Sequence, residues 1–407
     1  MSISTWPSDT PSTVLIGAGV VGTAIAEAHF LSGQPFCLCD VDQNALDRAK
    51  AKFQKFKADA WDLTGPIDGL FAIAVVPPAN PIQATSPSSA EQSESDELSV
   101  PIVIESIVEQ LPIKQDLFRR LSAVLSDDGI FASNTSTLRI DSIADAKGLD
   151  PTRVCGLHFF MPVHQRPAVE IVQGSRTAKE TTDAALRHAE RIGKRPIRCK
   201  DGPGFIVNRM LSPYLNQSLQ LLCRGASPEQ LERVAIAYGM PMSPLELIDW
   251  IGAPTMFHAG RAYLNAFPSR LNPSPMIPAL VKQKLLGRSH GLGLYRYVAG
   301  ERSRTLCDQA LALVETYRTA KESFSDGDVL RLLSIPMWIE AQQIIREQIA
   351  KSMDDVDAAM VGGLGFNSYE RWSELFEEIG SDDINDSMNR FGESFPSMRP
   401  IAPTGSA

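Results

Sequence analysis

Two side chains twelve residues apart, His158 and Glu170, could move a proton. The histidine lies in an apolar run, Gly156-Leu157-His158-Phe159-Phe160. The glutamate follows a second run in Ala168-Val169-Glu170-Ile171-Val172. Imidazole titrates at about 6.5 in its ordinary state, and a carboxylate partner tunes and orients it. Such a pair can draw a proton from an alcohol. The front of the chain carries a second chemistry. Val14-Leu15-Ile16 predicts a buried strand, Gly17-Ala18-Gly19-Val20-Val21-Gly22 follows, and an amphipathic run continues to Leu31. Phe36-Cys37-Leu38-Cys39 predicts the next strand, which ends at Asp40, 18 residues past Gly22. Gly17 permits the tight turn, Gly19 lets the backbone approach a pyrophosphate, and Gly22 lets the helix sit close to the strand. Asp40 stands where an acid holds a ribose 2′-hydroxyl and repels a 2′-phosphate. NAD is the cofactor that this pattern predicts. A nucleotide site beside an oriented histidine points to hydride transfer from an alcohol.

The elements that must position these residues alternate between strand and helix from about 13 to 198, the pattern of a doubly wound parallel sheet. A helix is expected over 44–56. The stretch 77–99 is rich in Ser, Pro, Gln and Glu, the composition of a mobile insert. A strand is expected at 100–105, a helix over 111–125, and a strand at Ile130-Phe131-Ala132 that ends in Ser133-Asn134-Thr135-Ser136. Open α/β sheets bind ligands at such carboxyl edges. From Lys200 onward strand signals vanish, and helices are expected over 205–223 and 228–238. A second helical block follows. Arg209-Met210-Leu211-Ser212-Pro213 compares with Arg331-Leu332-Leu333-Ser334-Ile335-Pro336, and the Ser227-to-Gly239 stretch compares with Ser352 to Gly365. The matched order predicts a duplication, with helical domains over 199–298 and 305–395.

Composition narrows the function. The net charge of −9 gives no basic face for nucleic acid. No run of 18 apolar residues suggests a membrane span, and Met1 to Ser12 lacks a signal pattern. Six cysteines (37, 39, 155, 199, 223, 307) form no C-x-x-C pair, so neither a metal site nor a disulfide framework is expected. A cytoplasmic enzyme fits these features.

Several motifs together resemble the L-3-hydroxyacyl-CoA dehydrogenases. They are the glycine turn at 17–22, Ile104-Glu105-Ser106-Ile107-Val108-Glu109, Ser133-Asn134-Thr135-Ser136, the His158 run, and Asp201-Gly202-Pro203-Gly204-Phe205-Ile206-Val207-Asn208-Arg209. The second helical block resembles the duplicated C-terminal domain in the dehydrogenase half of multifunctional fatty-acid oxidation proteins. The resemblance implies a Rossmann-like NAD-binding domain, then all-α domains, and oxidation of a 3-hydroxyacyl-CoA of the β-oxidation type. It implies that His158 is the base, that Glu170 orients it, and that Ser136 and Asn208 hydrogen-bond the reacting oxygen. Glu109 and Lys114 match positions near the nicotinamide ribose. Single-block relatives pair through this domain, so the two blocks here are expected to pack on each other within a monomer. Enoyl-CoA hydratase or thiolase partners follow from pathway logic alone. The family's asparagine after His-Phe-Phe is Met161 here, and its glutamate in the first helical block is Gln217, whereas Glu340 is retained in the second. A dehydrogenase of a free 3-hydroxy acid such as a sugar acid, and a silent NAD-binding scaffold, are the alternative readings.

Overall fold

The structure, a computed structural model, describes residues 11–63, 69–78, 101–125 and 127–401. Most of the expected insert, from residue 79 onward, lies outside the described residues. The chain forms two compact units that meet at Gly202 and Pro203, four residues beyond the expected boundary. The reason is β9, which carries strand structure to Lys200.

The first unit runs β1 (Thr13–Ile16), α1 (Val20–Leu31), β2 (Phe36–Asp40), α2 (Gln43–Lys55), β3 (Asp59–Leu63), β4 (Phe71–Val76), β5 (Ile102–Glu105), α3 (Leu111–Leu121), β6 (Ile130–Ser133), α4 (Ile140–Ala144), β7 (Val154–Phe159), β8 (Ala168–Gln173), α5 (Lys179–Arg191) and β9 (Arg195–Lys200). The strands form one sheet in the order β3-β4-β2-β1-β5-β6-β7-β8-β9. Its centre, β2-β1-β5-β6-β7, is parallel, as apolar strands joined by helices require. The expectation of a purely parallel sheet is corrected at both sides. β4 runs antiparallel to β2 and to β3, and β7 runs antiparallel to β8. No crossover helix separates β7 from β8: eight residues with one 3-10 turn, Val163–Gln165, link them, and a connection this short reverses the chain. Leu15, Phe36, Leu38, Ile73 and Val75 from the strands pack with Ile25, Leu46 and Phe53 from α1 and α2 in the core. The helix expected over 111–125 stops at Leu121.

The second unit comprises α6 (Val207–Arg224), α7 (Pro228–Tyr238), α8 (Pro244–Ile251), α9 (Ala253–Ala266), α10 (Met276–Lys282), β10 (Tyr297–Val298), β11 (Glu301–Arg302), α11 (Asp308–Thr316), α12 (Asp326–Arg346), α13 (Met353–Ala358), α14 (Glu374–Ile379) and α15 (Ser381–Phe391). β10 and β11 pair as a two-residue hairpin, and isolated bridges join Leu292 to Gly287 and to Arg296, so the expected all-helical tail is interrupted here. α6 and α12 are the two long helices and each contains one proline, Pro213 and Pro336. They pack antiparallel. Arg209 at the start of α6 meets Glu340 and Glu347 at the end of α12, and Arg224 at the end of α6 meets Glu322 just before α12. Met210, Tyr214, Leu332, Leu333 and Met337 are buried along these helices. Ser227 caps α7 by accepting the Gln230 N–H at 3.1 Å. α7 closes at Gly239, and α13 continues through a wide π-type turn, Ala359–Leu364, to Gly365.

Candidate functional site

The β7–β8 hairpin brings the proton-transfer pair together. His158 and Glu170 are register partners on the two strands, so both side chains project from one face. His158 Nδ1 lies 2.6 Å from Glu170 Oε2. Glu170 is wholly buried in mid-strand rather than at a strand end, and His158 is 6% exposed. A carboxylate only accepts, so Nδ1 carries the proton and donates it. The Phe160 ring stands edge-on to the imidazole, with centroids 5.0 Å apart. The hairpin turn is held from below by Lys194, whose Nζ donates to the Val163 carbonyl at 2.5 Å and to the Arg166 carbonyl at 2.9 Å. Burial pushes the Lys194 ammonium down to about 8.

A second network crosses the carboxyl ends of β5 and β6. Glu105, fully buried at the end of β5, accepts from Lys114 Nζ at 2.5 Å, from Ser133 Oγ at 2.7 Å and from the Ile107 N–H at 2.7 Å. Lys114 is 1% exposed and also lies 3.3 Å from Glu109. Glu109 in turn accepts from Thr135 Oγ1 at 2.6 Å, from the Ser136 and Thr137 N–H groups at 3.0 Å, and from Thr137 Oγ1 at 2.8 Å. Burial pushes the Glu109 carboxyl up, yet Lys114 and these hydroxyl bonds outweigh it and hold the group below the ordinary range. Lys114 is therefore enclosed between two carboxylates and bears on its surroundings through Glu109, which shapes the loop that carries Ser136. Asn134 links this network to the histidine strand. Its Oδ1 accepts the Phe159 N–H at 2.9 Å and its Nδ2 donates to Ser106 Oγ at 3.3 Å. The sequence reading gave Glu105, Asn134 and Lys194 no role. The signal for Glu105 was present, since a carboxylate closing an apolar strand must find a buried partner.

The glycine turn opens α1. Gly17 has φ +106° and a Cβ there would fall 2.4 Å from the Ser106 carbonyl oxygen. A Cβ on Gly22 would fall 1.8 Å from the Gly17 oxygen, so glycine alone lets α1 approach β1 this closely. A Cβ on Gly19 would meet nothing within 4 Å. Gly19 occupies the N-cap position of α1 without a side-chain cap, so the first helical N–H groups face an open approach. Asp40 stands beside this turn and accepts the Ala18 N–H at 2.5 Å and the Asp42 N–H at 2.8 Å. Val20 and Val41 flank it and are largely exposed. Asn208 belongs to the second unit, in the first turn of α6, where its carbonyl accepts Ser212 Oγ at 2.9 Å. α6 begins two residues later than expected, because Phe205 has φ +48° and cannot be helical. Met161, in the asparagine position of the motif, is 44% exposed.

The sequence model of the 3-hydroxyacyl-CoA dehydrogenase NAD-binding domain matches residues 12–202, and that of the C-terminal domain of the same family matches 204–297. The chain belongs to the 3-hydroxyacyl-CoA dehydrogenase family. Members of this family are NAD-dependent oxidoreductases, and so is this chain. A 3-hydroxybutyryl-CoA dehydrogenase from Escherichia coli K12 is similar over 97% of this chain and 97% of its own, with 24% identity and a TM-score of 0.71. An (S)-3-hydroxybutyryl-CoA dehydrogenase from Ralstonia eutropha is 28% identical over 71% of this chain and 100% of its own, with a TM-score of 0.55. The dehydrogenase part of a multifunctional enzyme from C. elegans is 23% identical over 96% of this chain and 86% of its own, with a TM-score of 0.59. The likeness in fold to the first and third therefore continues past residue 297, where the family match stops.

NAD fits the residues of this dehydrogenase. The space at Gly19 lies open against the uncapped start of α1, where an anionic group fits, and the Asp40 carboxylate stands at the end of β2 as an acceptor. Among the described residues no cluster of three His, Cys, Asp or Glu could hold a metal ion, and no helix is long and apolar enough to cross a membrane.

Proposed function

We propose that this dehydrogenase oxidises the 3-hydroxyl of a 3-hydroxyacyl-CoA to the 3-oxo thioester, and runs the reverse reduction, in reactions of the β-oxidation type. The 2.6 Å contact between His158 and Glu170 carries this reading. With its Nδ1 proton given to Glu170, the neutral imidazole holds its lone pair on Nε2. That nitrogen takes the alcohol proton, and Glu170 stabilises the imidazolium as it forms. Bound NAD supplies the acceptor for the hydride leaving the substrate's C3. Ser136, in the loop shaped by Glu109, and Asn208, in the first turn of α6, hydrogen-bond the oxygen as its charge changes. Gly17, Gly19, Gly22 and Asp40 hold the pyrophosphate and the adenosine ribose. Glu109, supported by Lys114, would hydrogen-bond the nicotinamide ribose.

His158→Ala tests the assignment. It should bind NADH as the wild type does and lose about 10²–10⁴-fold in turnover of acetoacetyl-CoA with NADH. Glu170→Gln should fall as well, because an amide donor facing Nδ1 favours the wrong tautomer. Wild-type turnover by His158→Ala refutes the mechanism. Activity with free 3-hydroxy acids alone transfers the reading to that substrate class, and NADH binding without turnover of either class marks a scaffold.

The helical unit is best read as two tandem copies: the first, expected over 199–298, begins here at Pro203, and the second spans 305–395. α6 and α12 each carry the Arg, Ser and Pro of the repeat, and they pack antiparallel as halves of a pseudo-dimer. Ser227 to Gly239 spans twelve steps and Ser352 to Gly365 thirteen, and the extra residue is absorbed by the π-type turn at 359–364. The second copy has no nucleotide domain of its own. Packing of the copies within one chain buries the apolar faces that single-block chains must cover with a partner, which favours a monomer.

A further inference from the structure

The helical unit holds a charge cluster whose place in the fold is not explained by stability. Arg209 is fully buried, donates from Nε to Glu340 Oε1, and has Nη1 2.7 Å from Glu347 Oε2. Arg270 spans the same two carboxylates, at 2.7 Å from Glu340 and 2.5 Å from Glu347. Tyr263 donates to the remaining oxygen of Glu340 at 2.8 Å. Phe267 is shared by both guanidiniums, which lie 4.5 and 3.9 Å from its ring centroid. Both carboxylates come from the second block, Glu340 within α12 and Glu347 at its C-cap, while both arginines and the tyrosine come from the first helical block. Charges matched in this way still lose their water, and apolar residues of similar volume often hold a fold equally well.

The pseudo-symmetry shows which half of the arrangement has been kept. Arg331 occupies on α12 the repeat position that Arg209 occupies on α6, and Gln217 occupies on α6 the position of Glu340. A symmetric pair would join Arg331 to residue 217. Instead Gln217 accepts from Ser397 Oγ at 2.7 Å, and Arg331 is 32% exposed with Asp383 3.6 Å away. The residue before Arg331 is Leu330, whereas the residue before Arg209 is Asn208. The buried grip survives only beside the asparagine. The N-cap position of α6 is Ile206, whose side chain is apolar, and the Arg209 N–H is taken by the Gly204 carbonyl at 3.0 Å, so Arg209 anchors the first turn through its backbone as well as its guanidinium.

We propose that Glu340 and Glu347 of the second helical block are positioning residues for the dehydrogenase reaction: they clamp Arg209 and through it set the Asn208 amide. This rests on the reading that Asn208 hydrogen-bonds the reacting oxygen. The second block then supplies a charge that the first block lacks at Gln217, and it is more than a cover for an apolar face. A displacement of about 1 Å in a group that positions substrate can cost on the order of 100-fold in rate.

The test compares kcat, KM and NADH affinity of the full-length chain in acetoacetyl-CoA reduction. Glu340→Gln and the paired Arg209→Met/Glu340→Met, which leaves Arg270 opposite Glu347, should lower kcat about 10–100-fold. NADH affinity should stay within about twofold and the paired variant should keep its melting temperature, because its charges are removed together. Glu340→Asp should recover part of the lost kcat. Arg331→Met, at the symmetry-related place, should leave kcat unchanged. If the paired variant does not fold, Glu347→Gln at the half-exposed end of the cluster serves in its place and should lower kcat in the same way. Asn208→Ala separates the two claims. Wild-type kcat in Asn208→Ala removes the reading on which the clamp depends. A large loss in Asn208→Ala beside wild-type kcat in the folded clamp variants overturns the positioning role alone.

Discussion

Gly19→Ala separates cofactor binding from folding. Gly19 has φ −70° and ψ −170°, values that alanine adopts without strain. The added methyl meets nothing within 4 Å. Replacing glycine stiffens the unfolded chain and stabilises the native state by about 0.4–1 kcal/mol, while alanine caps a helix less well than glycine by a similar amount. The two effects nearly cancel, so the melting temperature of the free enzyme should move by no more than about 4 °C. The same methyl fills the space through which a pyrophosphate reaches the start of α1. NADH affinity should therefore fall at least tenfold, or about 1.4 kcal/mol. Gly22→Ala is the contrast. Its methyl falls 1.8 Å from the Gly17 oxygen, and α1 must withdraw from β1. Overpacking of this kind costs about 1–3 kcal/mol or more. Thermal unfolding together with a fluorescence titration of NADH reads both quantities. A Gly19→Ala enzyme that binds NADH with wild-type affinity refutes the placement of the pyrophosphate, and one that unfolds refutes the reading of Gly19 as open space.

Three further outcomes are expected. Asp40→Ser should narrow the preference for NAD over NADP, since the carboxylate at the end of β2 repels a 2′-phosphate; equal Kd values for both cofactors in the wild type would contradict the assignment. Acid should weaken the first unit through His29 and His188, whose Nε2 atoms are 2.9 Å apart in the core. Burial lowers His29 to about 4 and holds His188 well below its ordinary value. The unfolded chain then binds protons that the native state refuses, so stability is full above about pH 6.5 and is lost as the pH falls toward 4, by up to about 2.7 kcal/mol per pH unit when both rings count. Urea midpoints at pH 7, 6 and 5 measure the slope, and a flat profile contradicts it. Truncation after Gly300 should strip α11 to α15 from α6 and expose Met210 and Tyr214, giving dimers or aggregates by light scattering from a full-length monomer. A full-length dimer joined through the first helical block would contradict the intramolecular pairing.

The residues of the glycine turn and its following acid were legible because their constraints are local. A turn at positive φ, a helix laid against its own strand and an acid at the end of the next strand are all fixed within 28 residues, from Thr13 to Asp40. His158 and Glu170 were legible as types, each interrupting an apolar run. Their contact was not, because a one-residue slip of β8 against β7 would turn Glu170 to the opposite face. The β3–β4 hairpin escaped the sequence reading. Asp59-Ala60-Trp61-Asp62-Leu63 is mostly exposed, and such a segment becomes a strand only when a partner supplies the other half of its ladder. Lys114 was singled out with Glu109 only through the family resemblance, and its enclosure between Glu105 and Glu109 came from the approach of β5 and β6. The same holds for Arg209 and Glu340, 131 residues apart in the chain and in direct contact in the fold. Sequence by itself determined the backbone turns and the periodic faces of strands and helices, which depend on neighbours a few residues away. Tertiary structure decided which buried charges meet, because a charge taken from water must be matched by whatever group the sheet register and the helix packing bring to it.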